Sequence, residues 1–369
     1  ASTRRRTSGP EAQGTGRQHL AQRLRQRGPV HGLVGGQARG HLAQAVVLER
    51  GDHAQVGVGG TQLQACRQPQ HVGLALQRGG AEHTRVLVDR LQSAPSQAFA
   101  TTHSPFVIKA AGAAAFWHLD SEGSIGALDG PKIEPIREKD PGAFLARVTI
   151  FAEGATEKGF CFALLERAIA GDIAALGLHV SDAAGHENCL DVLKSLCKSG
   201  LRFGGIADNE GKYEDSWTKV KAVLGSRLLR WSSGCIEDNV IGSLTESQLE
   251  QLLTTGEAAG QRRQTLKQRL GTQDKAYADL LGAAGNSAVL KEVVLSAAKG
   301  VVPVGAADDE KKRFKSHAQD WFKSLEGGRE LEDVVFSYGL WPSLKPILLP
   351  FCNGIREALG MEPIADLLP

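Results

Sequence analysis

FAEGATEK (residues 151–158) and FGGIADNEG (residues 203–211) are the two stretches from which the fold can be read. Each is an apolar run that ends in a carboxylate and a glycine turn. Residues 146–151 (ARVTIF) lead into the first as a strand, and 157–169 (EKGFCFALLERAI) follow as a helix with Phe160, Ala163, Leu164 and Ala168 on one face. Residues 176–180 read as a second strand, 187–197 as a helix, 201–207 as a third strand, 217–224 as a helix and 227–231 as a fourth strand. Strands alternating with helices at this spacing imply βαβ units and a mainly parallel sheet flanked by helices.

In open parallel sheets, ligands bind beyond the carboxyl ends of the strands, which is where Glu153 falls. Glu157 lies four residues on, in the first helical turn, close enough to share a cation with Glu153. It would also suit a helix start capped by Thr156. Asp208 and Glu210, two apart on an extended strand end, can present both carboxylates to one side. GCIEDN (residues 234–239) adds Glu237 and Asp238 directly after the fourth strand, although Asp238 reads equally well as an acid at a helix start. Like charges this close are unfavourable without a cation, and hard divalent ions take oxygen ligands. The pattern therefore calls for Mg²⁺ or Mn²⁺ held by Glu153, Glu157, Asp208, Glu210 and Glu237.

Outside this region the chain changes character. The formal charge is +2 over 369 residues, but residues 1–96 carry +8 and the remainder −6. The first 98 residues contain no Phe, Tyr, Trp, Lys, Asn or Ile. Such a stretch builds a poor core, and residues 1–96 read as a disordered segment or an out-of-frame start, with a basic nucleic-acid-binding arm and a folded domain of odd composition as the competing readings. From residue 244 onward the pattern is almost entirely helical, with helices expected at 246–253, 261–270, 276–281, 288–298, 310–324 and 344–359. Six scattered cysteines with no CxxC pair argue against a zinc site and a disulfide framework, and fit a cytoplasmic chain. No run of 18 apolar residues occurs, so no membrane span is expected.

FAEGATEKGF and GIADNEG, with Gly185 in the intervening SDAAGHEN turn, resemble the Toprim domain, the metal-binding module of topoisomerases, primases and the OLD-family nucleases. TTHSP (residues 101–105), RWSSGCIEDNVIG and the helical tail resemble the OLD family in particular. In that family TTHSP closes an ABC-type ATPase just ahead of the Toprim domain, with the histidine sensing ATP, so the resemblance makes His103 a nucleotide-contacting residue. It divides the chain into an ATPase remnant and linker (97–145), a Toprim catalytic domain (146–243) and a helical region completing the nuclease half (244–369).

The chain departs from the family in two places. Asp-x-Glu stands where many Toprim domains have Asp-x-Asp, and no GxxxxGK[ST] loop occurs, so ATP has no P-loop to bind here. The implied activity is metal-dependent DNA phosphodiester hydrolysis by Glu153, Asp208 and Glu210. A lysine assists, drawn from Lys311, Lys312, Lys315 and Lys323 and assigned to Lys323. The resemblance further implies DNA as substrate, a homodimer, and partner proteins in phage defence or DNA repair. Two other readings stay open: a regulatory Toprim module without activity, and another acid-cluster α/β enzyme such as a metal-dependent phosphatase.

Overall fold

The computed structural model describes residues 44–48, 55–59, 62–66, 74–75, 85–86, 88–89, 98–112, 114–119 and 125–367. Four short strands, Gln44–Leu48 (β1), Gln55–Gly59 (β2), Gln62–Cys66 (β3) and Leu74–Ala75 (β4), fall within residues 1–96. Most of that stretch, and with it the expectation of a disordered or misassigned start, lies outside the described residues. β1 pairs antiparallel with Ala98–Thr102 (β5) and with Ala115–Leu119 (β6), and Ile125–Ala127 (β7) completes that sheet. Pro105–Ala110 (α1) and Ile133–Lys139 (α2) lie along the same segment.

A second sheet carries the chemistry. Its four parallel strands are Val148–Ala152 (β8), Leu178–Asp182 (β9), Phe203–Ala207 (β10) and Leu228–Arg230 (β11), in the order β11-β10-β8-β9. Ala155–Ile169 (α3) links β8 to β9, and His186–Leu196 (α4) carries the chain back across the sheet to β10 on the other side of β8. The strand order therefore reverses between β8 and β10, which opens a crevice at their carboxyl ends. Glu214–Leu224 (α5) leads into β11.

Both faces of the sheet are covered, as the continuous apolar strands require. Val148, Ile150, Ile206 and Leu229 share one core with Phe160 and Leu164 of α3 and with the helical C-terminal region. Phe151, Phe203 and Leu228 share the other with Leu190, Leu193 and Trp217. Phe116, Ile133 and Phe144 belong to that second core, so described parts of residues 97–145 pack directly onto the sheet.

After the sheet come Ile236–Val240 (α6), Glu246–Thr254 (α7), Ala259–Leu270 (α8), Tyr277–Ala284 (α9), Ser287–Ala298 (α10), Asp308–Ser316 (α11), Leu325–Ser337 (α12) and Trp341–Ala358 (α13). Two sequence expectations are corrected here. The helix expected over 310–324 ends at Ser316, followed by a 3₁₀ turn at His317–Asp320. A helix absent from the sequence reading, α12, then starts behind Ser324, whose hydroxyl caps Gly327 N at 2.9 Å.

Glycines 327 and 328 look like a helix stop but sit inside α12, and packing explains them. A β-carbon at Gly328 would overlap Thr156 O and Phe160 N of α3, and one at Gly159 would overlap Leu325 O. The two helices cross with their backbones in contact, which a side chain at either position would prevent. Among the described residues no single helix is long and apolar enough to cross a membrane; the apolar pair α9 and α10 is bent by 102° at its break.

Gly328→Ala should force α3 and α12 apart at a cost of about 1–3 kcal/mol. We expect Tm to fall by roughly 3–10 °C in a thermal melt. An unchanged melt would contradict the close crossing.

Candidate functional site

Glu153 is the first residue beyond β8, and its backbone is tied across the sheet by Glu153 N to Ile206 O at 3.0 Å. Its Oε2 accepts from Asp208 N at 3.0 Å and lies 3.0 Å from His186 Nδ1. Trp217 Nε1 donates to His186 Nε2 at 3.2 Å. An indole N–H can only donate, so Nε2 must be the accepting nitrogen and the His186 proton sits on Nδ1, facing Glu153. Glu153 Oε2 thus accepts two hydrogen bonds, which orient the carboxylate at the sheet's mouth. His186 opens α4 directly after Gly185, whose φ of 122° suits only glycine.

Glu157 lies in the first turn of α3 and is 4% exposed. The helix begins behind Gly154, not Thr156 as the sequence suggested. Thr156 Oγ1 instead donates to Phe322 O at 2.8 Å, tying the start of α3 to the turn that carries Lys323. Asp208, the first residue beyond β10, accepts from Ile236 N at 3.0 Å through Oδ1. Glu237, in α6, is completely buried. Its Oε1 lies 2.7 Å from Lys323 Nζ. Apart from that ion pair, neither Glu237 oxygen nor Glu157 Oε1 makes a hydrogen bond of good geometry among the described residues.

The electrostatics follow from this crowding. Burial, then the charges of Glu157, Glu153 and Glu237, raise the Asp208 carboxyl to about 9. Burial raises Glu157 to about 7, with Glu237 and Glu153 adding to it and Lys323 opposing. Burial works against charge on Lys323, yet Glu237, Glu157 and Asp208 together hold its ammonium above the usual lysine value. Buried carboxylate oxygens without donors, beside a single ammonium, form a donor set that fits a hard divalent cation.

The acids fall into two ligand groups. Glu153, His186 and Glu210 bring ligand atoms within 4.8 Å of one another, as do Asp208, Cys235 and Glu237. Glu210 and Asp208 therefore end in different groups, where the sequence reading expected them to act together. The loop between them is pinned by Asn209, whose Nδ2 donates to Ser232 O at 2.8 Å and whose Oδ1 accepts from Arg230 at 2.7 Å. Glu210 is the outermost member, paired with Lys212 at 2.9 Å. Asp238 stays outside the cluster: it pairs with Lys299 at 2.7 Å and accepts from Cys235 N at 3.0 Å, the capping role.

Of the four candidate lysines, only Lys323 reaches the acids. Lys311 pairs with Asp308 at 2.7 Å, and Lys312 and Lys315 are exposed along α11. His103 is exposed in the loop between β5 and α1, on the other sheet. Sequence reasoning missed His186 and Cys235. The one available signal for His186 was its position just past Gly185, at the carboxyl end of β9.

No protein-family model matches the chain, and no curated protein does so. Among solved structures it is similar to the C-terminal region of the Burkholderia pseudomallei OLD protein, at 11% identity. That match covers 58% of this chain and 100% of that one, with a TM-score of 0.29. It is also similar to the C-terminal region of the Xanthomonas campestris pv. campestris OLD protein. In the mercury-phased form the identity is 15%, over 59% of this chain and 98% of that one, with a TM-score of 0.29. In the platinum-phased form it is 14%, over 59% and 96%, with a TM-score of 0.30. At these identities and scores the likeness assigns neither a reaction nor a site.

Asp208 and Glu157 titrate near 4 in an unfolded chain, so their raised folded values mean that the folded chain binds more protons above that pH. Their contribution to metal-free stability is thus fully present at the acid end of the window. It falls as pH rises, levelling off only above the folded values. Asp208→Asn removes the larger part of this penalty. At pH 8 without divalent ions the variant should melt a few degrees above the parent, with a flatter dependence from pH 5 to 8. A variant melting at or below the parent would contradict the crowding.

Proposed function

We propose that this chain is the nuclease half of a DNA endonuclease of the OLD, Toprim-containing type, hydrolysing phosphodiester bonds with Mg²⁺ or Mn²⁺. The observation that carries this reading is the burial of Glu157, Asp208 and Glu237 around one lysine at the crevice where the strand order reverses. A phosphodiester needs its charge neutralised before water can attack, and such a cluster is built to gather positive charge.

Glu153, Glu157, Asp208, Glu210 and Glu237 would hold one or two divalent ions. Bound there, the cation supplies Lewis-acid charge for water activation and for the leaving oxygen. Glu153, oriented by His186 and Asp208 N, and Glu210 at the outer edge are the more exposed members of the set. Lys323 supplies a fixed ammonium to the charge that develops on the phosphoryl oxygens. Its position depends on the α3–α12 crossing and on the Thr156–Phe322 hydrogen bond. DNA is the substrate in this reading.

Supercoiled plasmid incubated with Mg²⁺ or Mn²⁺ should be nicked by the parent, and Glu153→Ala, Asp208→Ala and Lys323→Met should each lower the rate by roughly 10²-fold or more. His186→Asn, which keeps an N–H toward Glu153, should retain more activity than His186→Ala. Nicking by Glu153→Ala and Asp208→Ala at the parent rate would refute the site. Cation and DNA binding without cleavage by the parent would favour a regulatory module instead.

A further inference from the structure

The carboxylates leave one ligand atom of the crevice without a role. Cys235 Sγ lies with an oxygen of Asp208 and one of Glu237 in a group whose members are all within 4.8 Å of one another. Its hydrogen-bond contact is Asp238 Oδ2 at 3.1 Å. Asp238 is itself held by Lys299 and by Cys235 N, so the segment carrying the sulfur is fixed from behind.

A second observation points to a ligand at the same place. Glu237 is wholly buried, with Lys323 Nζ 2.7 Å from its Oε1 and the Cys235 thiol beside it, held protonated by burial and by the Glu237 charge. Neither Glu237 oxygen makes a hydrogen bond of good geometry among the described residues. A buried carboxylate with so few donors around it is costly, and a cation shared with its neighbours offsets that cost. Cys161, Cys189 and Cys352 are buried in the apolar cores, and none belongs to such a group among the described residues. Among the described residues no candidate ligand group holds more than one cysteine, but a mixed site needs a single thiol.

We propose that Cys235 donates a thiolate to the cation held by Asp208 and Glu237, giving a mixed sulfur–oxygen site that prefers a thiophilic divalent ion such as Zn²⁺ or Co²⁺ over Mg²⁺. The inference rests on the reading that this acid cluster holds a divalent cation at all. On binding, the sulfur lone pair goes to the ion and the thiol proton to solvent, with no change of oxidation state. Sulfur ligands favour Zn²⁺ and Co²⁺, whereas Mg²⁺ takes oxygen donors and keeps its waters. Both His186 nitrogens are engaged, by Glu153 and by Trp217, so the outer group offers only the oxygens of Glu153 and Glu210 and no sulfur.

Co²⁺ titrated into the full chain, kept reduced with a phosphine, tests this by absorption spectroscopy independently of any activity. The parent should develop a near-ultraviolet thiolate-to-cobalt charge-transfer band. Cys235→Ser should lack it, and its Zn²⁺ affinity should fall by roughly ten-fold or more while Mg²⁺ affinity stays close to the parent's. Co²⁺ binding by the parent without that band, or a band that survives in Cys235→Ser, overturns the thiolate assignment and leaves the carboxylate site standing. Failure of the parent to bind either Co²⁺ or Mg²⁺ overturns the cation reading beneath it. Absence of the band in the parent is decisive by itself; if Cys235→Ser folds poorly, Cys235→Ala, checked for folding by its thermal melt, takes its place in assigning a band to Cys235.

Discussion

Four carboxylates, those of Glu153, Glu157, Asp208 and Glu237, crowd the mouth of a parallel sheet, and the surrounding structure either creates that crowding or offsets it. Two come from the ends of β8 and β10, where the strand order reverses. The other two come from the first turns of α3 and α6. Desolvation and mutual repulsion push Asp208 and Glu157 toward their neutral forms. A fold that keeps such a cluster needs positive charge there, and within the chain that charge comes from Lys323 alone among the described ion pairs to these acids.

The position of Lys323 is set by a backbone contact beside Glu157. Gly159 and Gly328 let α3 and α12 meet backbone to backbone, and the turn before α12 is then stitched to α3 by Thr156 and Phe322. The C-terminal helical region thus completes the crevice opened by the sheet. A small change at the helix crossing would move the one ammonium that the acids share. On the opposite side, Trp217 and His186 do comparable work for Glu153 by fixing which nitrogen carries the proton.

The sheet and its rim were legible because the apolar runs before Glu153 and Asp208 are buried on both faces and each ends in a carboxylate. Strand and helix limits between residues 146 and 243 lie within a few residues of the sequence expectation. Local pattern failed where distant residues decide the outcome. Glycines 327 and 328 weigh against a helix on propensity, and only the partner helix makes them necessary. Thr156 looked like a cap because its true acceptor, Phe322 O, is 166 residues away. Asp208 and Glu210 were grouped by their spacing, and Asn209 anchors the loop between them to the end of β11, with Asp208 buried and Glu210 exposed. Cys235 carries no local signature, and His186 only its place just past Gly185, since their significance lies in what the sheet brings beside them.

The central claim is that the crowded carboxylates hold protons that a divalent cation displaces. Calorimetric titration of Mg²⁺ into the full chain near pH 7, repeated in buffers of different ionisation enthalpy, measures that exchange directly. The account predicts binding accompanied by release of about one proton or more per ion, with release declining in Asp208→Asn. Binding heats that are the same in every buffer, or no Mg²⁺ binding at all, would contradict it.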